Sequence, residues 1–575
     1  MAAAALTGAA ASGAEAAGAG GLGPGCHPEW AVLAHHAGGQ VVTPPGAVPV
    51  ACGVDTGYAS SESSIAVTGA GSLIYSPAQT ENSMARSTDQ GANWSLTYPA
   101  DEQPTSFWNT VDPFVIADRR TGRVFWTHVT GPVRNEGGLP QGSGFLLAAA
   151  YGFQVYTSTD DGRSWSTADY QTAPMGDWEK LFTGPPPPPS SGAAQPVGYP
   201  DIVYICANSP VEVAGPGRLC YKSLDGGRTF VVAGYNSPSA GEPQDTCPPL
   251  NFNNGVADSR GTIYIPATCG RSDYVAVSHD EGSTYTWIPV KDAPTGTVLP
   301  SGYLQLAIDD ADTLYAIWPA NGLLYLEVSR DRGASWSPPM MIAAPGVHDV
   351  QRPAVAAGAA GHVGVTYYAS TDPNAQRFTA YITQTDDALA SNPLFYSGPI
   401  NDPAQPIFHD YGLTGASPRV DFIGGAYDAT GTRFWAGVVR QLSAPDANGH
   451  LTTTGYVGRL ALPAVAGGAV LLVPAGPQSG SSSCLGQARL TFHINAVPHG
   501  RVVRARAYVN GRRVVSRRGR NLTSISFARP PAPTTLRVRI VTTNNKGGRV
   551  ITRRTFQACA RTPVRGRVRR HRRGG

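Results

Sequence analysis

A few side chains in this sequence have the types and spacing that hydrolytic chemistry needs. Asp177 and Glu179 in DWEKLF stand two residues apart and are the sequence-close pair that could supply the acid and base of glycoside hydrolysis. Arg352 in VQRPAV and Arg419 in SPRVDF each directly precede a predicted strand, and a guanidinium group binds carboxylates in a bidentate manner. The alternative for each arginine is a contact with backbone carbonyls or a loop Asp, and the carboxylate pair could equally be a structural charge cluster.

Further carboxylates belong to an octapeptide of the form Ser-x-Asp-x-Gly-x-x-aromatic that occurs five times. Calcium loops need several oxygen ligands at alternate positions and a bidentate Glu, which no copy provides. The Gly suits a positive φ, the Asp and Ser can accept backbone hydrogen bonds of the turn, and the aromatic residue can cover the hairpin. We therefore interpret these carboxylates as structural, and we expect neither a metal nor a cofactor. The octapeptide carboxylates are Asp89, Asp160, Asp225, Asp280 and Asp331.

Short strands and turns surround each octapeptide and must position the candidate residues. Residues 112–165, 255–290 and 304–336 repeat the order strand, turn, strand, strand and octapeptide, whereas residues 353–395 and 420–441 keep the strands without the octapeptide. With residues before and between them, we count seven units, which predict an all-β fold: a β-propeller of six or seven blades over residues 51–470. The residues that precede the innermost strand of each unit would then point into the central channel.

The two ends of the chain differ in composition. Residues 1–50 are interpreted as a low-complexity N-terminal segment or the remnant of an export signal, and residues 471–483 as a linker. Residues 484–562 show the period-2 alternation of strands and predict a basic immunoglobulin-like β-sandwich, followed by a disordered Arg-rich tail at 563–575. From residue 480 onward the chain has 23 Lys+Arg and no Asp or Glu.

Eight cysteines fall into local couples and predict four disulfides, hence an oxidising, extracellular compartment and a secreted protein. The alternative is buried free thiols in a cytosolic protein, and the sequence does not determine the pairing. The only other apolar run, residues 460–474, is short and interrupted by Pro, so we expect no membrane span. The couples are Cys26 with Cys52, Cys206 with Cys220, Cys247 with Cys269 and Cys484 with Cys559.

The repeated octapeptide resembles the Asp-box, or bacterial neuraminidase repeat, of the sialidase-like β-propeller superfamily. The resemblance covers residues 50–470, and CPPLNFNNGVADSRGTIYIPATCG is similar to secreted bacterial members of it. In that superfamily the boxes lie at the blade periphery, away from the central ligand pocket. The resemblance implies a protein that recognises glycans.

The resemblance implies an exo-sialidase where the catalytic set of that family is present: an arginine triad, a Tyr nucleophile activated by Glu, and an Asp acid/base. Arg352 and Arg419 are the candidates for the triad, and Tyr411 and Tyr367 are the candidates for the nucleophile. The region that matches the family's first-blade Phe/Tyr-Arg-Ile-Pro stretch has no Arg before Arg86.

Three functions follow from these residues. One is exo-sialidase-type hydrolysis of a terminal acidic sugar, in which His409 or Asp410 would assist the nucleophile. Another is hydrolysis of a different polysaccharide by Asp177 and Glu179. The third is a propeller without catalysis that serves as a glycan-binding or surface scaffold.

The basic C-terminal domain predicts a partner of its own. Its alternating arginines would lie on an exposed face and contact an anionic cell-surface polymer, and the alternative is a solvated basic face. No aromatic residues interleave with the arginines in a stacking pattern, so we expect no nucleic-acid partner. We expect the protein to be a monomer.

Overall fold

The computed structural model of the 575-residue chain describes residues 22–44, 46–60, 62–77, 83–99, 113–130, 152–166, 179–188, 191, 193–208, 218–236, 254–269, 272–290, 304–372, 377–409, 423–444, 452–462, 489–493, 501–520, 522, 524–528, 535–545 and 549–557. The chain divides into two compact units, Met1–Ala464 and Val465–Gly575. Among the described residues, regular structure is almost entirely β, with one short 3₁₀ helix at Ala37–Gly39. None of the described residues belongs to a helix of the length and apolarity needed to span a bilayer.

The first unit consists of short antiparallel strands grouped into small sheets. The N-terminal strands are β1 (Cys26–His27), β2 (Leu33–His36), β3 (Gln40–Val41) and β4 (Val50–Asp55). Sheet 1 contains β5 (Ile65–Val67), β6 (Leu73–Tyr75), β7 (Met84–Ser87) and β8 (Ser95–Thr97). Sheet 2 contains β9 (Phe114–Ala117), β10 (Val124–Thr130) and β11 (Gly152–Ser158). Sheet 3 contains β12 (Lys180–Gly184), β13 (Ile202–Asn208), β14 (Arg218–Ser223) and β15 (Val231–Asn236).

The remaining sheets of this unit follow in chain order. Sheet 4 contains β16 (Val256–Ala257), β17 (Ile263–Cys269), β18 (Ser272–Ser278) and β19 (Thr286–Pro289). Sheet 5 contains β20 (Gln305–Ile308), β21 (Leu314–Ala320), β22 (Leu323–Ser329) and β23 (Met340–Met341). Sheet 6 contains β24 (His348–Ala357), β25 (Val363–Ser370), β26 (Arg377–Thr385) and β27 (Phe395–Pro399), with β28 (Phe408–His409) paired to β26. Sheet 7 contains β29 (Gly424–Tyr427), β30 (Phe434–Gln441) and β31 (Thr453–Ala461).

Strands from the N-terminal segment complete the last two sheets. The strand β4 pairs with β31 at the outer side of sheet 7, and β1 pairs with β4. The strands β2 and β3 extend sheet 6 beyond β27. Because β4 comes from the start of the unit and β31 from its end, this pairing ties the two ends of the unit together.

Two of the predicted disulfides are confirmed. Cys26–Cys52 joins β1 to β4 and Cys206–Cys220 joins β13 to β14, in both cases between residues directly opposite each other on neighbouring strands. The predicted pair Cys484–Cys559 lies outside the described residues, as does Cys247, the predicted partner of Cys269.

The first strand of each sheet contacts the first strand of the next one. The strand β5 contacts β9, and the series continues through β12, β16, β20 and β24 to β29, which contacts β5 again. The first strands therefore form a closed ring, and the later strands of each sheet extend outward from it. The unit is an all-β fold of many small antiparallel sheets, compatible with a β-propeller.

The core of this unit lies between consecutive sheets. Tyr315 and Leu326 of sheet 5 pack with Tyr367 and Val365 of sheet 6, and a similar cluster fills the space between sheets 6 and 7. Strands between two neighbouring sheets, such as β21 and β25, are therefore buried at every position rather than at alternate ones.

The octapeptides all adopt one hydrogen-bonded turn. The Ser hydroxyl accepts the Gly N–H at 2.8–2.9 Å and donates to the Asp carboxylate at 2.8–2.9 Å. The Asp also accepts a backbone N–H four residues further on, at 2.8–3.0 Å. The Gly has φ between +73° and +92°, the left-handed region that favours Gly.

The residue just before that Gly contacts the preceding sheet of the ring. It too has a left-handed φ, which turns its side chain away from the octapeptide. In the third copy it is a Gly packed against Tyr199 and Arg123. The side-chain pairs of the other copies are Gln90 with Arg459 at 2.8 Å, Asp161 with Arg86 at 2.5 Å, Glu281 with Lys222 at 2.6 Å and Arg332 with Asp258 at 2.9 Å.

The second unit is also all-β in its described residues. One sheet has the order β34 (Arg512–Arg518), β33 (Val502–Val509), β36 (Thr535–Asn544) and β37 (Arg549–Gln557). The other pairs β32 (Arg489–His493) with β35 (Ser524–Ala528). Ala505, Ala507, Ile525 and Phe527 from the two sheets share one buried cluster.

Candidate functional site

The ring of first strands encloses a cavity of about 200 Å³. Most of its lining residues are apolar and come from β5, β9, β24 and β29, with further residues at the starts of β12 and β20. We call this space the central cavity. Its polar lining residues in the described part of the chain are Ser64, Arg119, Lys180, Asn254, Gln305 and Tyr427.

Lys180 brings a positive charge to the wall where β12 begins. The residue is 3% exposed, and its Nζ donates to the backbone carbonyl of Glu179 at 3.3 Å and lies 5.0 Å from the centre of the Phe114 ring. Glu179 precedes it and is itself buried. A cation held beside an aromatic ring in an apolar wall interacts strongly with an anion because little water screens it.

Arg119 brings a second positive charge from the neighbouring sheet 2, at the other end of the cavity. It lies in the turn after β9, and its Nη2 donates to Asp310 at 2.8 Å while Nη1 donates to the carbonyl of Ala357 at 3.3 Å. Asp310 and Ala357 belong to sheets 5 and 6, so the side chain reaches across the ring. Its Nε is shielded from water and has no hydrogen-bond partner among the described residues.

The turns that follow several first strands meet where Arg119 crosses. The N–H of Asp310 donates to the carbonyl of Gly358 at 3.0 Å, and the N–H of Ala359 donates to the carbonyl of Gly431 at 2.9 Å. Arg119 therefore closes the end of the central cavity at which the first strands finish. Lys180, in contrast, is the first residue of its strand.

Two amides and a phenol complete the polar lining. The side-chain oxygen of Asn254 is buried without a hydrogen-bond partner among the described residues, and because amide oxygen and nitrogen can exchange places, this group can accept or donate. Gln305 donates its amide N–H to the carbonyl of Pro353. Burial raises the pKa of the Tyr427 hydroxyl well above its usual value, so this group is a neutral donor.

The lining has a consistent charge. Arg119 and Lys180 are the basic side chains of the lining, and no carboxylate is among the described lining residues of the central cavity. The cavity can therefore stabilise an anionic group, with amide and hydroxyl groups available for neutral polar atoms.

Some of the candidate site residues predicted from the sequence lie among the residues that the structure describes, and others do not. Asp177, Arg419, Tyr411 and Asp410 lie outside it. His409 lies in β28, half-buried, and its backbone N–H donates to Gln441 Oε1 at 3.1 Å.

Arg352 and Glu179 are described, and both lie near the start of the cavity walls without lining the cavity. Arg352 is half-buried in β24 and has a φ of +50°, which is unusual for a residue with a side chain. Burial raises the pKa of Tyr368, and the positive charge of Arg352 acts in the opposite direction. Glu179 is 1% exposed and directly precedes Lys180.

The interpretation of Tyr367 as a candidate nucleophile is wrong. Its ring is fully buried between sheets 5 and 6, where the hydroxyl accepts the N–H of Ala344 at 2.8 Å and shares a 2.9 Å hydrogen bond with Thr383. Burial raises the pKa of this hydroxyl, which opposes the ionisation a nucleophile needs. Every residue of β25 is buried, so alternation along the strand could not reveal which side faces the core.

Arg86 does not contribute to the cavity. It pairs with Asp161 at 2.5 Å in the contact between sheets 1 and 2. Arg119 and Lys180 were not among the residues predicted from the sequence. Lys180 did carry a signal, because it is one of only four lysines in the chain and begins an apolar strand, whereas Arg119 lies in an ordinary turn sequence, DRRTG.

Comparison with known proteins gives only distant similarities. No family model and no curated protein matches the chain. Among solved structures, the chain is similar to the Hadza microbial sialidase Hz136, with 16% identity over 59% of this chain and 65% of that one and a TM-score of 0.35. It is also similar to the NanB sialidase from Streptococcus pneumoniae, with 13% identity over 71% of this chain and 70% of that one and a TM-score of 0.34. It is also similar to an alpha-L-arabinofuranosidase from Fusarium graminearum, with 12% identity over 59% of this chain and 90% of that one and a TM-score of 0.34.

Proposed function

We propose that the first unit contains a seven-bladed Asp-box β-propeller that recognises glycans in its central cavity. The closed ring of first strands supports the propeller, and so does the completion of sheet 7 by β4. The shared turn of the five octapeptides supports the resemblance to sialidase-like propellers. For residues 465–575 we propose an immunoglobulin-like sandwich, supported by two sheets around one apolar cluster.

The ligand we propose is a terminal acidic sugar. The observation that carries this proposal is the positive lining of the central cavity by Arg119 and Lys180. The sugar carboxylate would be held by Lys180 at one end of the cavity, and the hydroxyl and amide groups of the sugar by Asn254, by Arg119 at the other end and by other polar groups of the wall. A cavity of about 200 Å³ is small beside the ~300–1,000 Å³ of drug-sized ligand sites, which suits one sugar ring rather than a length of polysaccharide.

A second candidate is exo-sialidase-type hydrolysis near the end of the central cavity at which the first strands begin. It is favoured by the left-handed φ values of Asp349 at +48° and Arg352 at +50°, because strained backbone clusters at functional sites. In that case Arg352 and Arg419 would hold the substrate carboxylate and Tyr411 would act as the nucleophile. Asp177 or Glu179 would serve as the general acid or base.

We further propose that the protein is secreted. The two disulfides favour an oxidising, extracellular compartment, in which cell-surface glycans are available as ligands.

The test measures the affinity of the full-length protein for N-acetylneuraminic acid and for its methyl ester. A charge-assisted hydrogen bond contributes ~1.5–3 kcal/mol, so the ester should bind about tenfold or more weakly. Equal affinity for the acid and the ester would contradict the proposed ligand. Release of product from a fluorogenic sialoside, lost in Arg352→Ala, would establish the hydrolytic candidate, and binding without release would establish recognition alone.

Variants separate the cavity from the rest of the unit. Lys180→Met removes the cation and keeps the apolar stem, and we expect it to weaken acid binding about tenfold. The matched control is the double variant Lys222→Gln with Glu281→Gln, which removes a largely buried lysine together with its 2.6 Å partner outside the central cavity. The control should fold and bind as the wild type does. Equal weakening in both variants would mean that Lys180 acts through stability and not through the ligand.

A further inference from the structure

The second unit presents a row of arginines on one side of its larger sheet. Along β33 the buried residues Ala505, Ala507 and Val509 alternate with half-buried residues, of which Arg504 and Arg506 are two. Because side chains alternate between faces, these arginines lie on the side opposite the apolar cluster. The third half-buried position on that side is a tyrosine.

Neighbouring strands add arginines to the same face. Arg518 of β34 lies directly opposite Arg504, and Tyr508 lies between Arg513 of β34 and Arg539 of β36. Residues paired across strands share a face, with Cα atoms ~4.5–5.5 Å apart, and alternate residues along a strand are ~7 Å apart. The arginine face is defined as Arg504, Arg506, Arg513, Arg518 and Arg539.

No carboxylate of this unit can neutralise the arginine face, because residues 465–575 contain no Asp or Glu. Desolvation and the neighbouring charges of Arg506, Arg518 and Arg513 lower the pKa of Arg504. The Nε atoms of Arg504 and Arg506 are shielded from water and have no hydrogen-bond partner among the described residues. The guanidinium groups are thus held close together although they repel one another, and some of their N–H donors have no acceptor among the described residues. A bound anion would reduce this repulsion and accept hydrogen bonds from those donors.

The ring of Tyr508, the aromatic residue of this face, is covered by an arginine. The guanidinium of Arg539 lies 4.4 Å from the centre of the Tyr508 ring, over its face. Nucleic-acid recognition on a sheet uses open aromatic faces on which bases stack. A ring covered by an arginine favours a polyanion that has no bases.

We propose that the arginine face binds an acidic polysaccharide. Its arginines stand on one face of a sheet at strand spacing, so a chain with repeated carboxylates or sulfates can contact several of them at once. This site is separate from the central cavity and does not depend on the ligand proposed there.

The experiment measures binding of the full-length protein to heparin and to polygalacturonate at about 150 mM salt and over a series of salt concentrations. Arg504→Gln, Arg506→Gln and Arg518→Gln are combined in one variant. We expect its affinity for both polysaccharides to fall at least about tenfold, and the slope of log affinity against log salt to decrease by about three, one for each lost charge.

The matched control combines Arg512→Gln, Arg517→Gln and Arg520→Gln, which removes the same charge from exposed positions outside the arginine face. It should lose less than about threefold, because only the long-range attraction changes. A loss equal to that of the first variant would show that net charge alone is responsible, and would overturn the proposal.

Three further outcomes bear on the proposal. Replacing Arg504, Arg506 and Arg518 by Lys keeps the charge, so this variant should retain the salt slope with weaker binding, and it remains informative where the Gln variant fails to fold. Tighter binding to single-stranded DNA of matched charge than to either polysaccharide would overturn the partner class. Loss of polysaccharide binding in Lys180→Met would place the polymer in the central cavity and overturn the site.

Discussion

The contact between sheets 1 and 2 allows a quantitative test of how the octapeptides hold the ring together. Asp161, the residue before the octapeptide Gly, has a φ of +73° and accepts hydrogen bonds from Arg86 at 2.5 Å and from Ser72 at 2.7 Å. The side chains of Arg86 and Asp161 are only 10% and 15% exposed. The perturbations are Asp161→Ala and Asp161→Gly, which both remove the carboxylate but differ in the backbone conformations they tolerate.

The expected magnitudes follow from burial and backbone geometry. Removing one partner of a buried ion pair lowers the free energy of unfolding by about 3–5 kcal/mol. Because the Arg86–Asp161 pair is partly exposed, we expect a loss of about 3 kcal/mol. A left-handed φ costs a residue with a Cβ about 1–2 kcal/mol more than Gly, partly offset by the extra entropy of Gly in the unfolded chain. Asp161→Gly should therefore lower the free energy of unfolding by about 3 kcal/mol, and Asp161→Ala by about 4 kcal/mol.

The assay is urea unfolding followed by tryptophan fluorescence. All ten tryptophans precede residue 465, so the signal reports the first unit alone. Adding Arg86→Met to Asp161→Gly removes the unpaired charge, and we expect this double variant to be more stable than Asp161→Gly. Losses below about 1 kcal/mol in both single variants would show that the ion pair does not stabilise this contact, and an Asp161→Ala variant no less stable than Asp161→Gly would contradict the cost of the left-handed φ.

Three other properties can be tested on the same protein. Cys206→Ser with Cys220→Ser opens a loop with a sequence separation of 14 and should lower the free energy of unfolding by about 3 kcal/mol in urea; an unchanged midpoint would contradict this. The carboxylate of Asp386, 3.1 Å from His362, raises the pKa of His362 above its usual 6.5 against the opposing effect of burial. The protonated imidazole therefore stabilises the fold below pH 6.5, and this contribution is lost as the pH rises through the folded pKa. His362→Gln should flatten the dependence of Tm on pH between about pH 5 and pH 9. A curve of Tm against pH parallel to that of the wild type would contradict this prediction. Arg119→Met should weaken acid-sugar binding about tenfold with little effect on Tm, since its carboxylate partner is largely exposed, and unchanged binding would exclude Arg119 from the site.

Local chemistry made much of the first unit predictable. The Gly of each octapeptide indicated a positive φ, and its Ser and Asp indicated hydrogen bonds inside the turn, because each of these contacts spans at most four residues. The nearness in sequence of Cys26 to Cys52 and of Cys206 to Cys220 suggested these couples, but the pairing was left open until the structure showed each couple on adjacent strands.

The contacts that close the ring could not be predicted in this way. Arg119 meets Asp310, 191 residues away, only because the first strands form a closed ring. The residue before the octapeptide Gly is Gln, Asp, Gly, Glu or Arg, since it complements a different neighbour in each copy, and no repeat marks it. Tyr367 was misinterpreted because both faces of its strand are buried, which removes the alternation that distinguishes core from channel.

The central cavity is proposed to bind the carboxylate of an acidic sugar through Lys180. The most direct measurement is a double-mutant cycle between ligand and protein: the affinities of the wild type and of Lys180→Met for N-acetylneuraminic acid and for its methyl ester. We predict that Lys180→Met weakens binding of the acid about tenfold and binding of the ester less than about twofold, because only the acid carries the charge that Lys180 contacts. Equal losses for the two ligands, or no loss for either, would contradict the claim.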